Sequence, residues 1–423
     1  MGYKANIVTS LITRFMGAFV TLGISVITAR ELGTEKLGEI QLVVLAMAIS
    51  MLVSGILSGP SLVYFTPRKK LKHLLVPAYI ANLVCSSLIC VLLAAFDLFD
   101  PDYLGYAILI SVFQSFYSTH FYVLLGLEKL TAYNIIGIIQ VLVAITGIAI
   151  GVYVFNIKDV DSYFIAQAIS FLVAFFITIP FVRQKSHSDP ESGYMDVVKS
   201  IIKYGFVMQL ASIFQQLNYR LSYWIIHWQL GDGKLGVFAL TMQLAEGVLM
   251  VSRSISVVLF SKTANLSAKE NIIDKTNQTL KFTYVSTFIF IVGFLLLPVE
   301  FYEYIFSKNF KETKLILWFI SPGIMFLAIQ TILSSYFSSV HKVYANAIGS
   351  LVGLIVIIII VWPITMLLDL KGAAIANVLS YFVSLFVALY YYLAVEKNKV
   401  SSILLNSSDI KRYLSVLSFR KTR

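Results

Sequence analysis

Apolar residues run along this chain in long blocks, and each block ends in a short polar interruption. A helix that spans a bilayer needs about 20 mostly apolar residues. Blocks of that length predict helices over 7–28, 39–65, 74–96, 105–126, 133–155 and 161–182. A polar segment follows, Arg183 to Ser200, holding Lys185, Asp189, Pro190 and Glu191. Six more blocks lie over 203–228, 236–260, 281–304, 315–338, 345–368 and 372–395. The pattern therefore predicts an all-α integral membrane protein with twelve transmembrane helices. Its expected division is a six-helix lobe over 1–182, a linker over 183–202, a second six-helix lobe over 203–395 and a basic tail over 396–423. The first block is too long for the core of a cleaved signal and is expected to stay as an anchor.

Composition points to the same class. Of 423 residues, 58% are hydrophobic and only 13% charged, with mean hydropathy +0.83. A soluble domain carries about 25% charged residues. The net charge of +11 does not signal nucleic acid, because the basic residues lie in short loops between apolar blocks. With the N-terminus inside, Lys and Arg favour the inner segments nearly threefold, so both termini are expected to be cytoplasmic. Glu31, Glu35, Glu39, Asp97, Asp100 and Asp102 then fall outside. Cys85 and Cys90 sit roughly 140° apart round one helix and cannot pair there. Every loop is short, so whatever the chain does must happen within the membrane.

The two halves echo one another. The turn after the first helix reads Leu32-Gly33-Thr34-Glu35-Lys36-Leu37-Gly38, and the turn after the seventh reads Leu230-Gly231-Asp232-Gly233-Lys234-Leu235-Gly236. Both are Leu-Gly-x-x-Lys-Leu-Gly at the same topological position. A weaker echo joins Lys129, Asn134 and Gly137 to Lys342, Asn346 and Gly349. Chance and shared turn chemistry are the bland alternative. An even number of helices per half makes the repeats parallel, an arrangement that places a substrate path between two lobes around a central cavity.

Polar stripes interrupt three of the apolar blocks. Gln209, Ser212, Gln216, Arg220, Tyr223 and His227 form one face of the seventh helix, and Gln243, Glu246, Arg253 and Ser256 one face of the eighth. The first helix carries Ser10, Arg14, Gly17, Thr21, Ser25 and Thr28. A charge at mid-membrane costs about 2.5–3.5 kcal/mol on insertion scales. Arg14, Arg220 and Arg253 face a single deep carboxylate, Glu246. Mutual neutralisation is the structural alternative, yet it leaves a cationic excess that suits an anionic substrate, since guanidinium pairs with phosphate while keeping its charge. His120 reads as a packed histidine and His227 as a boundary residue. Tyr390, Tyr391 and Tyr392 read as interfacial anchors, whereas Tyr219, Tyr223 and Trp224 are alternatives for stacking on sugar rings. Pro60, Pro77, Pro298, Pro322 and Pro363 permit kinks. No phosphate-binding Gly loop, metal spacing or Ser/His/Asp set is present, so no cofactor, metal or catalytic residue is expected. Asn265 and Asn277 match a glycosylation pattern by chance, on the inner side.

As a set, Arg30-Glu31-Leu32-Gly33 with Leu37-Gly38, the Leu230–Gly236 echo, the turn Lys371-Gly372-Ala373-Ala374-Ile375-Ala376 and the basic inner loops carry a likeness over about residues 5–395. The chain resembles the polysaccharide-export branch, the O-antigen and capsule flippases, of the multidrug/oligosaccharidyl-lipid/polysaccharide exporter superfamily. That resemblance implies a multi-pass protein of the bacterial cytoplasmic membrane. It would carry an undecaprenyl-diphosphate-linked oligosaccharide from the inner to the outer leaflet by alternating access. It also implies membrane lipids, a coupling cation (H+ or Na+), and polysaccharide polymerase and chain-length proteins as partners. Arg14 matches an arginine of the related peptidoglycan-precursor flippases, and Arg253 matches by helix and depth. Arg14, Arg220, Arg253, Gln216, Tyr223 and Gln243 are the expected substrate contacts, with Glu246 the ion-coupling candidate. The run Asn218-Tyr219-Arg220-Leu221-Ser222 departs from the family, which often has an acidic residue there. An ion-coupled multidrug exporter and a membrane polysaccharide polymerase are the alternatives. The first lacks its usual carboxylate in the first helix, and the second lacks a large acidic outer loop.

Overall fold

The computed structural model describes residues 3–182, 194–263, 269–340, 342, 344–395 and 400–406. Side chains are described there except at 3–15, 18, 207, 208, 257, 258, 260–263 and 269–271. Arg14, Ser10, Asn265 and the polar segment 183–193 therefore lie outside what is described below.

All long elements are helices, and no strand occurs among the described residues. They are α1 (Tyr3–Glu31), α2 (Gly33–Ser58), the short α3 (Ser61–Phe65), α4 (Leu71–Ala95), α5 (Leu104–Gly126), α6 (Leu130–Tyr153) and α7 (Val160–Val182). Then come α8 (Tyr194–Leu230), α9 (Asp232–Thr263), α10 (Lys269–Leu296), α11 (Val299–Phe306), α12 (Thr313–Ser339), α13 (Tyr344–Leu368) and α14 (Leu370–Tyr390). Eleven stretches of the described residues are long and apolar enough to cross a membrane. Helix α1, at 29 residues, has the length for a twelfth.

The blocks and the helices disagree most at four places, one of them the start of α10, which begins at Lys269 and so ahead of block 281–304. Block 39–65 breaks at Gly59-Pro60, because Pro60 has no N–H to continue α2 and instead caps α3. Block 281–304 breaks at Leu297-Pro298 into α10 and α11. The stretch 194–202, expected as linker, is the first part of the 37-residue α8.

The chain forms two compact units, residues 1–240 with 300–313 and residues 241–299 with 314–423. This grouping differs from a boundary at 183–202, because α8 packs along α2, α3 and α4. Within the first unit α2 also packs on α4 and α5, α1 on α6, and α6 and α5 on α7. Within the second, α13 packs on α14. Apolar side chains remain exposed along whole helix faces, such as Ile80, Leu83, Val84 and Leu88 on α4. On α13, Ile355, Ile358, Ile359, Trp362 and Met366 do the same. Faces of that size suit hydrocarbon and not water.

The two repeat turns adopt the same conformation and meet each other. Gly33 and Gly231 both have positive φ, 86° and 83°, the left-handed region open to glycine without cost. The backbones then approach reciprocally. A Cβ on Gly38 would overlap the Asp232 carbonyl, and one on Gly236 would overlap the Thr34 carbonyl. Lys36 pairs with Glu39 and Asp159, and the equivalent Lys234 pairs with Glu312. The sequence echo is thus a shared turn geometry, in which each glycine leaves room for the other turn's backbone.

Candidate functional site

In a bilayer every buried polar group needs a protein partner, and most of the stripe residues have one. On α1 the hydroxyls of Thr21, Ser25 and Thr28 donate to the carbonyls of Gly17, Thr21 and Ile24, four residues back. Those positions serve the helix itself. His120 is buried, bonds to Tyr79 and, at 2.5 Å, to Thr178, and stacks on Phe175. It is a packed histidine. His227 pairs with Asp232 at 2.6 Å across the Gly231 turn.

Arg220 lies on α8 in the first unit and is half-buried. Its guanidinium donates to the Tyr223 hydroxyl one turn on and lies 4.9 Å from the centre of that ring. Tyr223 itself is 1% exposed and packs edge-on against Phe238. Its ring therefore presents no face to a ligand, and what it contributes is the hydroxyl beside Arg220. Trp224 is likewise committed, donating to the Leu98 carbonyl at 3.1 Å, and Trp228 donates to Asp97. These two side chains tie the end of α8 to the turn after α4. Gln216 is half-buried on the same helix.

In the second unit, α9 carries Gln243 and Glu246, both half-buried, and Arg253, which is exposed. Ser252 bonds to Thr287 of α10 at 3.3 Å, and Ser256 bonds to Ser335 of α12. The side chains flanking Arg253 thus fix α9 against its neighbours and leave the guanidinium on the open side. Arg253 makes no ion pair among the described residues. Among the described residues no group of His, Cys, Asp or Glu is arranged to hold a metal.

A feature that the stripes alone did not reveal lies where α2 breaks. Gly55, Ser58, Gly59 and Pro60 face Ser115, Ser118 and Tyr122 of α5 and Gln209 and Ser212 of α8 around a cavity of about 110 Å³. The Gln209 amide lies where a Cβ on Gly55 or Gly59 would sit, and at Gly59 the Gly55 carbonyl oxygen lies there too. The Gly-x-x-x-Gly-Pro run in the second apolar block was the signal for it.

No family model matches the chain, and no curated protein matches it. Solved structures do share its fold. An inward-facing multidrug resistance MATE family transporter of the MOP superfamily superposes with TM-score 0.71 at 14% identity, covering 93% of this chain and all of its own. The lipid II flippase MurJ in an inward closed conformation superposes with TM-score 0.69 at 15% identity, covering 99% of this chain and 93% of its own. A MOP superfamily transporter from Pyrococcus furiosus, described as having a binding pocket of reverse polarity, gives 0.66 at 15% identity, with coverage of 92% and 95%. At these identities the likeness establishes a MATE- and MurJ-like all-helical membrane fold.

Proposed function

We propose that this chain is a flippase that carries a diphosphate-linked lipid oligosaccharide from the inner to the outer leaflet by alternating access. The observation that carries this reading is Arg253, a guanidinium on a membrane-length helix that is exposed and has no carboxylate partner among the described residues. Placing a charge there costs about 2.5–3.5 kcal/mol, and nothing in the packing of α9 repays it. A diphosphate does, through paired charge-assisted hydrogen bonds. Arg220, oriented by Tyr223, is the second cation assigned to the substrate, with Gln216 and Gln243 on the same helices as the two arginines, and Arg14 is the third. Glu246 is assigned to the coupling cation, H+ or Na+. Likeness to a lipid II flippase supports a lipid-borne substrate, and no bond is made or broken in this transport. The membrane is the bacterial cytoplasmic membrane, with both termini inside by the charge rule, and O-antigen or capsule repeats are the substrate class.

In cells whose surface polysaccharide depends on this chain, Arg14→Ala and Arg253→Ala should each abolish surface polysaccharide at unchanged protein level. The lysine replacements should retain part of it, because a point charge attracts phosphate without the paired geometry. Normal export by both alanine variants would overturn the reading. Likeness to the MATE transporter and the position of Glu246 favour an ion-coupled exporter of small drugs as the second reading, in which Glu246 would be the sole essential charge.

A further inference from the structure

We propose that the end of the first unit at which α3 turns into α4 is a docking surface for anionic phospholipid headgroups, with Arg68 its principal phosphate contact and Lys70, Lys72, Lys199 and Lys203 around it. The surface belongs wholly to the first unit, and the inference does not rest on the flippase reading.

Two basic segments distant in sequence share this end. Arg68-Lys69-Lys70-Leu71-Lys72-His73 forms the turn after α3 and the opening of α4, while Lys199 and Lys203 lie one turn apart on one face of α8. Helix α8 packs on both α3 and α4. It has 37 residues and so a length of about 55 Å, against a hydrocarbon core of about 30 Å. Its first turns therefore run beyond the core, at headgroup depth. Arg68, Lys70, Lys72, Lys199 and Lys203 are all exposed, and none makes an ion pair among the described residues. The carboxylates of the adjoining segments, Glu128 after α5 and Asp196 on α8, make none either, so the cationic excess is not neutralised within the unit.

A charge count that merely orients the chain needs nothing more than exposed lysines. This cluster is built beyond that. Arg68 donates through Nη1 to the Tyr64 carbonyl at 2.6 Å, and its guanidinium lies 3.9 Å from the centre of the Tyr64 ring. Tyr64 in turn stacks on Tyr204 of α8 at 5.7 Å, and Phe65 meets the same ring edge-on at 6.2 Å. His73 meets Tyr194 edge-on at 5.5 Å. Rings thus tie the α3–α4 turn to α8, and Arg68 is held in place by one of its five donors. The remaining donors are free to form paired, charge-assisted bonds with a phosphate. Deeper along the same two helices, Val76 and Ile80 of α4 and Ile202 and Phe206 of α8 are exposed. A phosphate tethered to acyl chains meets both the basic rim and the apolar faces below it, and polybasic segments at a membrane surface attract anionic lipids in this way.

The test measures binding of an acyl-labelled phosphatidylglycerol to the purified full chain in neutral detergent micelles, by fluorescence anisotropy, with labelled phosphatidylcholine in parallel. Phosphatidylglycerol should bind at least fivefold tighter. Arg68→Gln and Lys203→Gln should each weaken it about fivefold, in line with the loss of one basic residue near an anionic surface. Tyr64→Leu, which keeps every charge but removes the ring beneath Arg68, should weaken it about threefold. Lys308→Gln with Lys311→Gln, exposed lysines outside this cluster, should leave it unchanged. All variants should elute and unfold as the parent does, since the substituted side chains are exposed. Equal binding of the two lipids overturns the proposal, as does an equal loss in the Lys308/Lys311 control. Unchanged binding in Tyr64→Leu would reduce the surface to diffuse charge and overturn the built site. Displacement of the label by a prenyl diphosphate at a tenth of the effective phosphatidylglycerol concentration would reassign the surface to the transported lipid and overturn its assignment to phospholipid.

Discussion

The close approach of the two repeat turns makes a quantitative forecast. In Gly38→Ala the new Cβ would come within 2.8 Å of the Asp232 carbonyl carbon, and in Gly236→Ala within 2.8 Å of the Thr34 carbonyl carbon. Carbon atoms sit comfortably at about 3.5 Å or more, so each methyl requires a withdrawal of about 0.7 Å or more. Both obstacles are backbone, which no rotamer change can move aside. Overpacking of this kind costs about 1–3 kcal/mol, and rigid surroundings place each single variant near the upper end. The double variant should cost well less than the sum, because the withdrawal forced by one methyl makes room for the other. A negative interaction energy of about 1–2 kcal/mol is expected for such neighbouring sites. Gly233→Ala, whose Cβ would meet only the Thr34 hydroxyl at 3.7 Å, is the control and should change little. Unfolding free energies of the four variants in mixed micelles measure all of this. Full additivity, or single variants within about 0.5 kcal/mol of the parent, within the range of an ordinary surface change, would refute the reciprocal packing.

Other outcomes follow from named contacts. Glu31 is held below its ordinary value by the hydrogen bond from Lys158. Its stabilising contribution is therefore complete above the ordinary carboxylate range and lost as pH falls through the lowered value; Lys158→Ala should flatten the acid side of a stability-versus-pH curve, and an unchanged curve would refute the linkage. His120→Phe strands the Tyr79 hydroxyl, while Thr178 keeps its bond to the Phe175 carbonyl; it should lower stability by about 1–3 kcal/mol, read by thermal unfolding, while the protein that remains folded transports normally, and loss of transport at full stability would show that His120 does more than pack. Reporter fusions at Lys129 should face the cytoplasm and fusions at Asp100 the opposite side, and the reverse result would sink the assigned orientation. If Glu246 couples a cation, Glu246→Gln should make flux insensitive to an imposed gradient, which a gradient jump in loaded vesicles would detect.

Fold class was readable because the apolar blocks need no tertiary information. Length and composition alone mark a bilayer-spanning helix, so block and helix ends agree within a few residues for α4 to α7 and for α12 and α13. The break at Gly59-Pro60 was harder, since a proline within a span more often kinks a helix than divides it. The stretch 194–202 was read as linker because Asp196 and Lys199 look like loop, although polar residues begin a helix as readily where it emerges from the membrane. At the candidate site the helical faces were legible and the partners were not. Tyr223 shares a face with Arg220, yet only packing against Phe238 decides that its ring is unavailable. Ser256 shares a face with Arg253, yet it is spent on α12. The cavity beside Gln209 required three helices to meet, which no single-helix periodicity encodes.

The central claim is that this chain moves a diphosphate-bearing lipid between leaflets. Purified protein in vesicles, loaded with a fluorescent prenyl-diphosphate oligosaccharide, tests it through the fraction of label that a membrane-impermeant reductant can quench. The expected result is time-dependent exchange between leaflets that protein-free vesicles lack and that Arg253→Ala removes. An uncharged prenyl analogue should exchange no faster than in protein-free vesicles. Equal exchange in Arg253→Ala, or a chain that passes an organic cationic dye and never the diphosphate lipid, would contradict it.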